Sequence, residues 1–124
     1  MKITLSMNLI CVHSLEESKP FYEQALGMKF LEFRPPFAEA KLDDKYLFNI
    51  EENADYRSED WAQKHISGMK SCVFETDDLE MFLEKVKIYG GTVISGPTKE
   101  PWGYTIAYFS DPSKNIFIVE QEDK

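Results

Sequence analysis

Residues 8–30 read NLICVHSLEESKPFYEQALGMKF, and residues 72–94 read CVFETDDLEMFLEKVKIYGGTVI. Laid over one another at an offset of 64 with no gap, Leu15 falls on Leu79, Glu16 on Glu80 and Gly27 on Gly91. Both stretches show a short apolar strand, a polar cap, an amphipathic helix, a glycine and a second strand. In the first copy Ser14 and Glu17 have capping-box spacing, in which each side chain can satisfy an orphan amide of the first turn. Phe21, Tyr22, Ala25 and Leu26 then share one helical face, and Gly27 is placed to close the helix in a left-handed conformation. Pro20 conflicts locally, because inside a helix it removes a hydrogen bond. In the second copy Asp77 or Asp78 caps, Leu79, Phe82, Leu83 and Val86 recur at helical spacing, and Gly90-Gly91 ends the helix. These aromatic stripes are read as core.

Strand-like segments follow each helix. The first copy continues with MKFLEFR, EAKLDD and KYLFNIEE, and the second with TVISGP, YTIAYFS and NIFIVEQ. The expected fold is therefore α+β, with two β-α-β-β-β modules in one domain over 1–124. Module one covers about 1–52, a polar joining segment 53–68 and module two about 69–124, with a short helix expected after Ser58.

Composition narrows the function. The chain has 124 residues, 43% hydrophobic and 14% aromatic, which fits one globular domain. No run of about 18 apolar residues is present, so no membrane span is expected, and the N-terminal stretch does not read as a signal peptide. A formal net charge of -8 argues against a nucleic-acid partner, whose phosphates need a basic face, and leaves room for a neutral or cationic ligand. Cys11 and Cys72 sit in separate apolar segments and are expected to be reduced, in a cytoplasmic protein.

The strings SLEESKPFYEQALGMKF and PWGYTIAYFSDPSKNIFIVE, within this doubled pattern, resemble the vicinal oxygen chelate superfamily. That superfamily includes glyoxalase I, bleomycin-resistance proteins, fosfomycin-resistance enzymes and extradiol dioxygenases. The resemblance spans about Met7 to Glu120. It implies sheets that curl around a cavity and a homodimer, formed side by side or by exchange of modules. Its enzymes hold one divalent metal, a Lewis acid that polarises neighbouring substrate oxygens, on His or Glu from four strands.

Carried onto this chain, the four ligand positions fall on Met7, Phe48, Ser71 and Ile118. Met7 and Ser71 lie eight residues before Leu15 and Leu79. Ile118 lies three residues after Asn115, and Phe48 follows from matching Lys45-Tyr46 to Asn115-Ile116. None of the four suits a hard or borderline divalent ion, so no metal and no other cofactor is expected. His13 and His65 are read as surface residues. Glu75 and Glu120 remain as an acidic rim able to meet a cation or to act as acid and base. The family's Arg after PWG is replaced by Thr105, and its turn Gly by Lys114.

With Asp111 opposite Asn115, the closing hairpin pairs Phe109 with Phe117, Tyr108 with Ile118 and Ile106 with Glu120. Trp102, Tyr104, Ile106 and Tyr108 are then expected to line the cavity beside Met7, Tyr46 and Phe48, with Trp61 over the opening. Such walls suit planar or cationic compounds. The functional expectation is a metal-free protein that binds a small aromatic or cationic molecule, of the bleomycin-resistance type. The alternative is a metal-dependent glyoxalase-like lyase or dioxygenase with a non-standard site, using Glu75 and Glu120.

Overall fold

The computed structural model describes residues 1–53 and 72–124. The expected helix after Ser58, together with Trp61, His65 and Ser71, lies outside the described residues. The chain divides into two compact units, Met1–Tyr56 and Arg57–Lys124.

The first unit runs β1 (Leu9–Val12), α1 (Leu15–Pro20), a π-helical turn (Phe21–Ala25), β2 (Lys29–Arg34), β3 (Phe37–Leu42) and β4 (Tyr46–Glu52). Its sheet has the order β1-β4-β3-β2, with β1 parallel to β4 and the other pairs antiparallel. Ser14 caps α1, accepting from the Glu17 amide at 3.2 Å. Pro20 has no N–H to offer, and the regular helix ends there. The chain continues as a wider turn in which Leu26 N donates to Phe21 O at 3.2 Å. That turn buries Phe21, Tyr22 and Ala25, with the two rings packed edge to face at 5.4 Å. Gly27, at φ 73, then reverses the chain into β2. Beneath the helix lie Ile10, Val12, Ala38, Ala40, Phe48 and Ile50, all buried.

The second unit repeats this plan with β5 (Val73–Glu75), α2 (Leu79–Ile88), β6 (Thr92–Lys99), β7 (Tyr104–Ser110) and β8 (Ile116–Glu122), in the sheet order β5-β8-β7-β6. Asp78 is the cap, accepting from Met81 N at 3.0 Å. Leu79, Leu83 and Val86 turn inward. Phe74, Phe82, Phe109 and Phe117 form a ring cluster with centroids 5.1–6.2 Å apart. β6 is irregular: its register against β7 shifts twice, and at Gly96 a Cβ would stand 2.7 Å from Ile106 O. Only glycine lets the two strands approach so closely there.

Both units are thus β-α-β-β-β, as the repeat predicts. No helix among the described residues is long and apolar enough to cross a membrane.

Candidate functional site

In each sheet one side packs against its helix. The other side is the open face. On the second sheet, Tyr108 pairs with Ile118, Ile106 with Glu120 and Tyr104 with Glu122, in the register expected from the hairpin. Parallel pairing adds Val73 beside Ile118 and Glu75 beside Glu120. Alternating with these, Ala107, Phe109, Phe117 and Val119 are all buried on the helix side. The open face therefore carries Tyr104, Ile106, Tyr108, Ile118 and Val73, with Glu75, Glu120 and Glu122 at one end.

The carboxylates act on the phenol. Glu122 first, then Glu75, with partial burial and Glu120 adding, push the Tyr104 hydroxyl above its ordinary value of 10.0. The hydroxyl therefore keeps its proton to higher pH than a free phenol does. Thr105, where the family string carries Arg, donates to Asp123 Oδ1 at 2.7 Å. Trp102 lies before β7 begins, in the turn that Gly103 N closes onto Glu100 O, and is 64% exposed.

Phe48 requires a correction. It pairs with Ala40, is 7% exposed and shares its side of β4 with the core residue Ile50. By the same alternation Tyr46 falls on the helix side, so neither belongs to the open face. Glu52 accepts from Leu15 N, as Gln121 accepts from Leu79 N. Those two side chains make β4 and β8 equivalent at an offset of 69, one less than the turn residues suggest. A slip of one residue moves a side chain to the opposite face. The counterpart of Ile118 is therefore Asn49, and that of Glu120 is Glu51.

The two turns are built differently, which hides the equivalence. The first is a tight reversal with Asp43 and Asp44 at φ 55 and 53 and Lys45 N donating to Leu42 O. In the second, the buried Asp111 accepts from Ser113 N, Asn115 N and Asn115 Nδ2 at 2.8–3.0 Å.

The described ligand positions implied by the family are thus Met7, Asn49 and Ile118. A thioether, a carboxamide and a hydrocarbon are each poor ligands for a hard divalent ion. Among the described residues no group of three or more His, Cys, Asp or Glu side chains is arranged to hold a metal.

Met7 and Asn49 come together in the first unit. They line a cavity of about 520 Å³ on the open face, with Leu9, Glu32, Arg34, Phe37, Glu39 and Glu51 around them. Of these only Met7 stands out from the sequence. The signal for Asn49 and Glu51 was the repeat itself, once the two helix-facing caps Glu52 and Gln121 are matched.

A family model, Glyoxalase/Bleomycin resistance protein/Dioxygenase superfamily, matches residues 4–119. No curated protein matches the chain. Among solved structures, a glyoxalase/bleomycin resistance protein/dioxygenase family enzyme from Burkholderia phytofirmans PsJN aligns at TM-score 0.70 and 19% identity, covering 92% of this chain and 94% of that one. TnmS3, an antibiotic binding protein from Streptomyces sp. CB03234, aligns at TM-score 0.63 and 22% identity, covering 99% of each chain. A protein from the mobile metagenome of V. Pseudocholerae is 29% identical at TM-score 0.65, covering 100% of this chain and 98% of that one.

Proposed function

The chain belongs to the Glyoxalase/Bleomycin resistance protein/Dioxygenase superfamily, and on that premise we propose that it is a metal-free binding protein for an aromatic or cationic small molecule, with no bond broken. The observation that carries this reading is the open face of the second sheet. Tyr104, Ile106, Tyr108 and Ile118 offer flat apolar contact, and Glu75, Glu120 and Glu122 supply negative charge beside it. Stacking and cation–π contacts on such a surface contribute roughly 0.5–2 kcal/mol each. The antibiotic binding protein TnmS3 has the same fold, which supports a binding role. We further propose a homodimer, a cytoplasmic location and no nucleic-acid partner, the last from the net charge of -8.

A second reading rests on Glu75 and Glu120, which are register partners on that face. Two adjacent carboxylates could hold a divalent ion in a glyoxalase- or dioxygenase-like enzyme, although two acids leave the ion under-coordinated.

One experiment separates the two. Metal content is measured on the purified protein, and nickel and zinc are titrated by calorimetry. Tryptophan and tyrosine fluorescence is then followed against a planar cationic dye and an anionic dye of similar size. The binding reading expects saturable quenching by the cationic dye, weakened in Glu120→Gln, and no stoichiometric metal. A stoichiometric divalent ion at sub-micromolar affinity overturns the metal-free reading, and equal response to both dyes overturns the charge preference.

A further inference from the structure

We infer that the cavity of the first unit seats an organic cation with at least two N–H donors, such as an amidinium or guanidinium. This rests on the small-molecule reading above and names the ligand chemistry of a second face. The cavity is built from two rows that cross the sheet. In the first row Leu9 pairs with Asn49, Asn49 with Glu39, and Glu39 with Glu32. In the next, Cys11 pairs with Glu51, Glu51 with Phe37, and Phe37 with Arg34.

Charge selects the ligand's sign. The cavity lining holds three carboxylates, Glu32, Glu39 and Glu51, against one guanidinium, Arg34, leaving two negative charges in excess. Arg34 Nη2 lies 3.6 Å from Glu32 Oε1, so the one lining cation is already engaged. Among the described residues neither Glu39 nor Glu51 belongs to an ion pair. Glu39 stands directly opposite Glu32 across the ladder, and with Arg34 set against Glu32 the uncompensated negative charge of the lining rests on Glu39 and Glu51. Lys29 and Lys41 pair with one another one row further along the sheet and do not line the cavity.

Shape and donors narrow the class further. A volume of about 520 Å³ is that of a small-molecule pocket. Met7, Leu9 and Phe37 are half exposed or more, an apolar surface for a hydrocarbon body, and the Phe37 ring beside Glu51 suits a delocalised cation. Asn49 and Glu39 are side-by-side neighbours with an amide oxygen and a carboxylate, which match a pair of N–H donors pointing the same way.

The test uses benzamidine as probe on the isotope-labelled full chain, with benzamide as the neutral shape control and benzoate as the anionic one. Amide resonances are followed by NMR. Saturable benzamidine shifts at Leu9, Phe37, Glu39, Asn49 and Glu51, absent with benzoate and weakened by added salt, are expected. Glu39→Gln and Glu51→Gln should each weaken binding by about tenfold, as loss of a charge-assisted hydrogen bond does. Shifts confined to Tyr104, Ile106, Tyr108 and Ile118 overturn this inference and leave the second-sheet reading standing. Equal binding of benzamide, or unchanged affinity in both variants, overturns the charge argument. No saturable shift at any residue overturns this inference, while the dye titration above decides the second-sheet reading on its own.

Discussion

Glu52 Oε1 accepts a hydrogen bond from the Leu15 amide at 2.8 Å, tying the end of β4 to the start of α1. Gln121 Oε1 does the same for Leu79 at 2.6 Å in the second unit. The first amides of a helix have no partner within it, so these side chains meet a need that a Ser14 or Asp78 cap meets only in part. Glu52→Ala and Gln121→Ala should each lower stability by about 1 kcal/mol in urea unfolding. Gln121→Glu should be better tolerated than Gln121→Ala, since the carboxylate keeps the acceptor.

Tyr104 gives a prediction in pH. Its folded-state value is raised above 10.0, chiefly by Glu122 and then Glu75. The native phenol therefore binds its proton more tightly than the unfolded one. Its contribution to stability is full below pH 10 and is lost as pH rises through the higher folded value. Near-ultraviolet difference absorbance reports phenol ionisation, and subtracting the titration of Tyr104→Phe isolates this one. In Glu122→Gln the midpoint should move down toward the ordinary value. An unmoved midpoint would show that the carboxylate does not act on this phenol.

The closing turn tests local chemistry. Asp111 is 1% exposed and accepts three hydrogen bonds from Ser113 and Asn115. Asp111→Ala leaves the buried Ser113 amide and the partly buried Asn115 donors without that acceptor and should cost roughly 1–3 kcal/mol. Lys114 sits at φ 71, in the left-handed region that Lys adopts poorly. Lys114→Gly should raise the denaturation midpoint by an amount equivalent to roughly 0.5–1 kcal/mol. A drop instead would mean that the Lys114 side chain contributes contacts that outweigh the backbone strain.

The fold was legible because two signals agreed. Helical spacing after a cap occurs twice, at Ser14 and at Asp78, and the Asp-Pro turn fixed the register of β7 and β8 down to the pairs Phe109–Phe117 and Tyr108–Ile118. The placement of β4 was less legible. LDDKY carries no proline and no asparagine at the position of Asn115, so matching the turns by residue type set the strand one residue out. The alternation of Phe48, Asn49, Ile50 and Glu51 does set Phe48 beside Ile50, but Leu47 next to Phe48 blurs the pattern at the start of the strand. Long-range contacts decide it: Ile50 and Phe48 lie under the helix with Ala38 and Ala40. The charged lining at Arg34, Glu39 and Glu51 was equally hidden, since exposed charges on a strand carry no signal of convergence until the register of three neighbours is known.

That slip is itself testable, because Phe48 and Asn49 are adjacent in sequence yet assigned to opposite faces. Phe48 is a core ring, and Phe48→Ala should cost about 3–5 kcal/mol through lost burial and the cavity left behind. Asn49 sits half-buried on the open face, and its ladder bond to Asn8 is made by the backbone amide, which substitution leaves in place. Asn49→Leu should therefore change stability by less than about 0.5 kcal/mol. Its effect should appear in binding, as weaker benzamidine shifts at Leu9 and Glu39 with the rest of the spectrum unchanged. The opposite outcome, a tolerated Phe48→Ala beside a strongly destabilising Asn49→Leu, would return Phe48 to the open face. It would also remove the carboxamide from the row that joins Leu9 to Glu39.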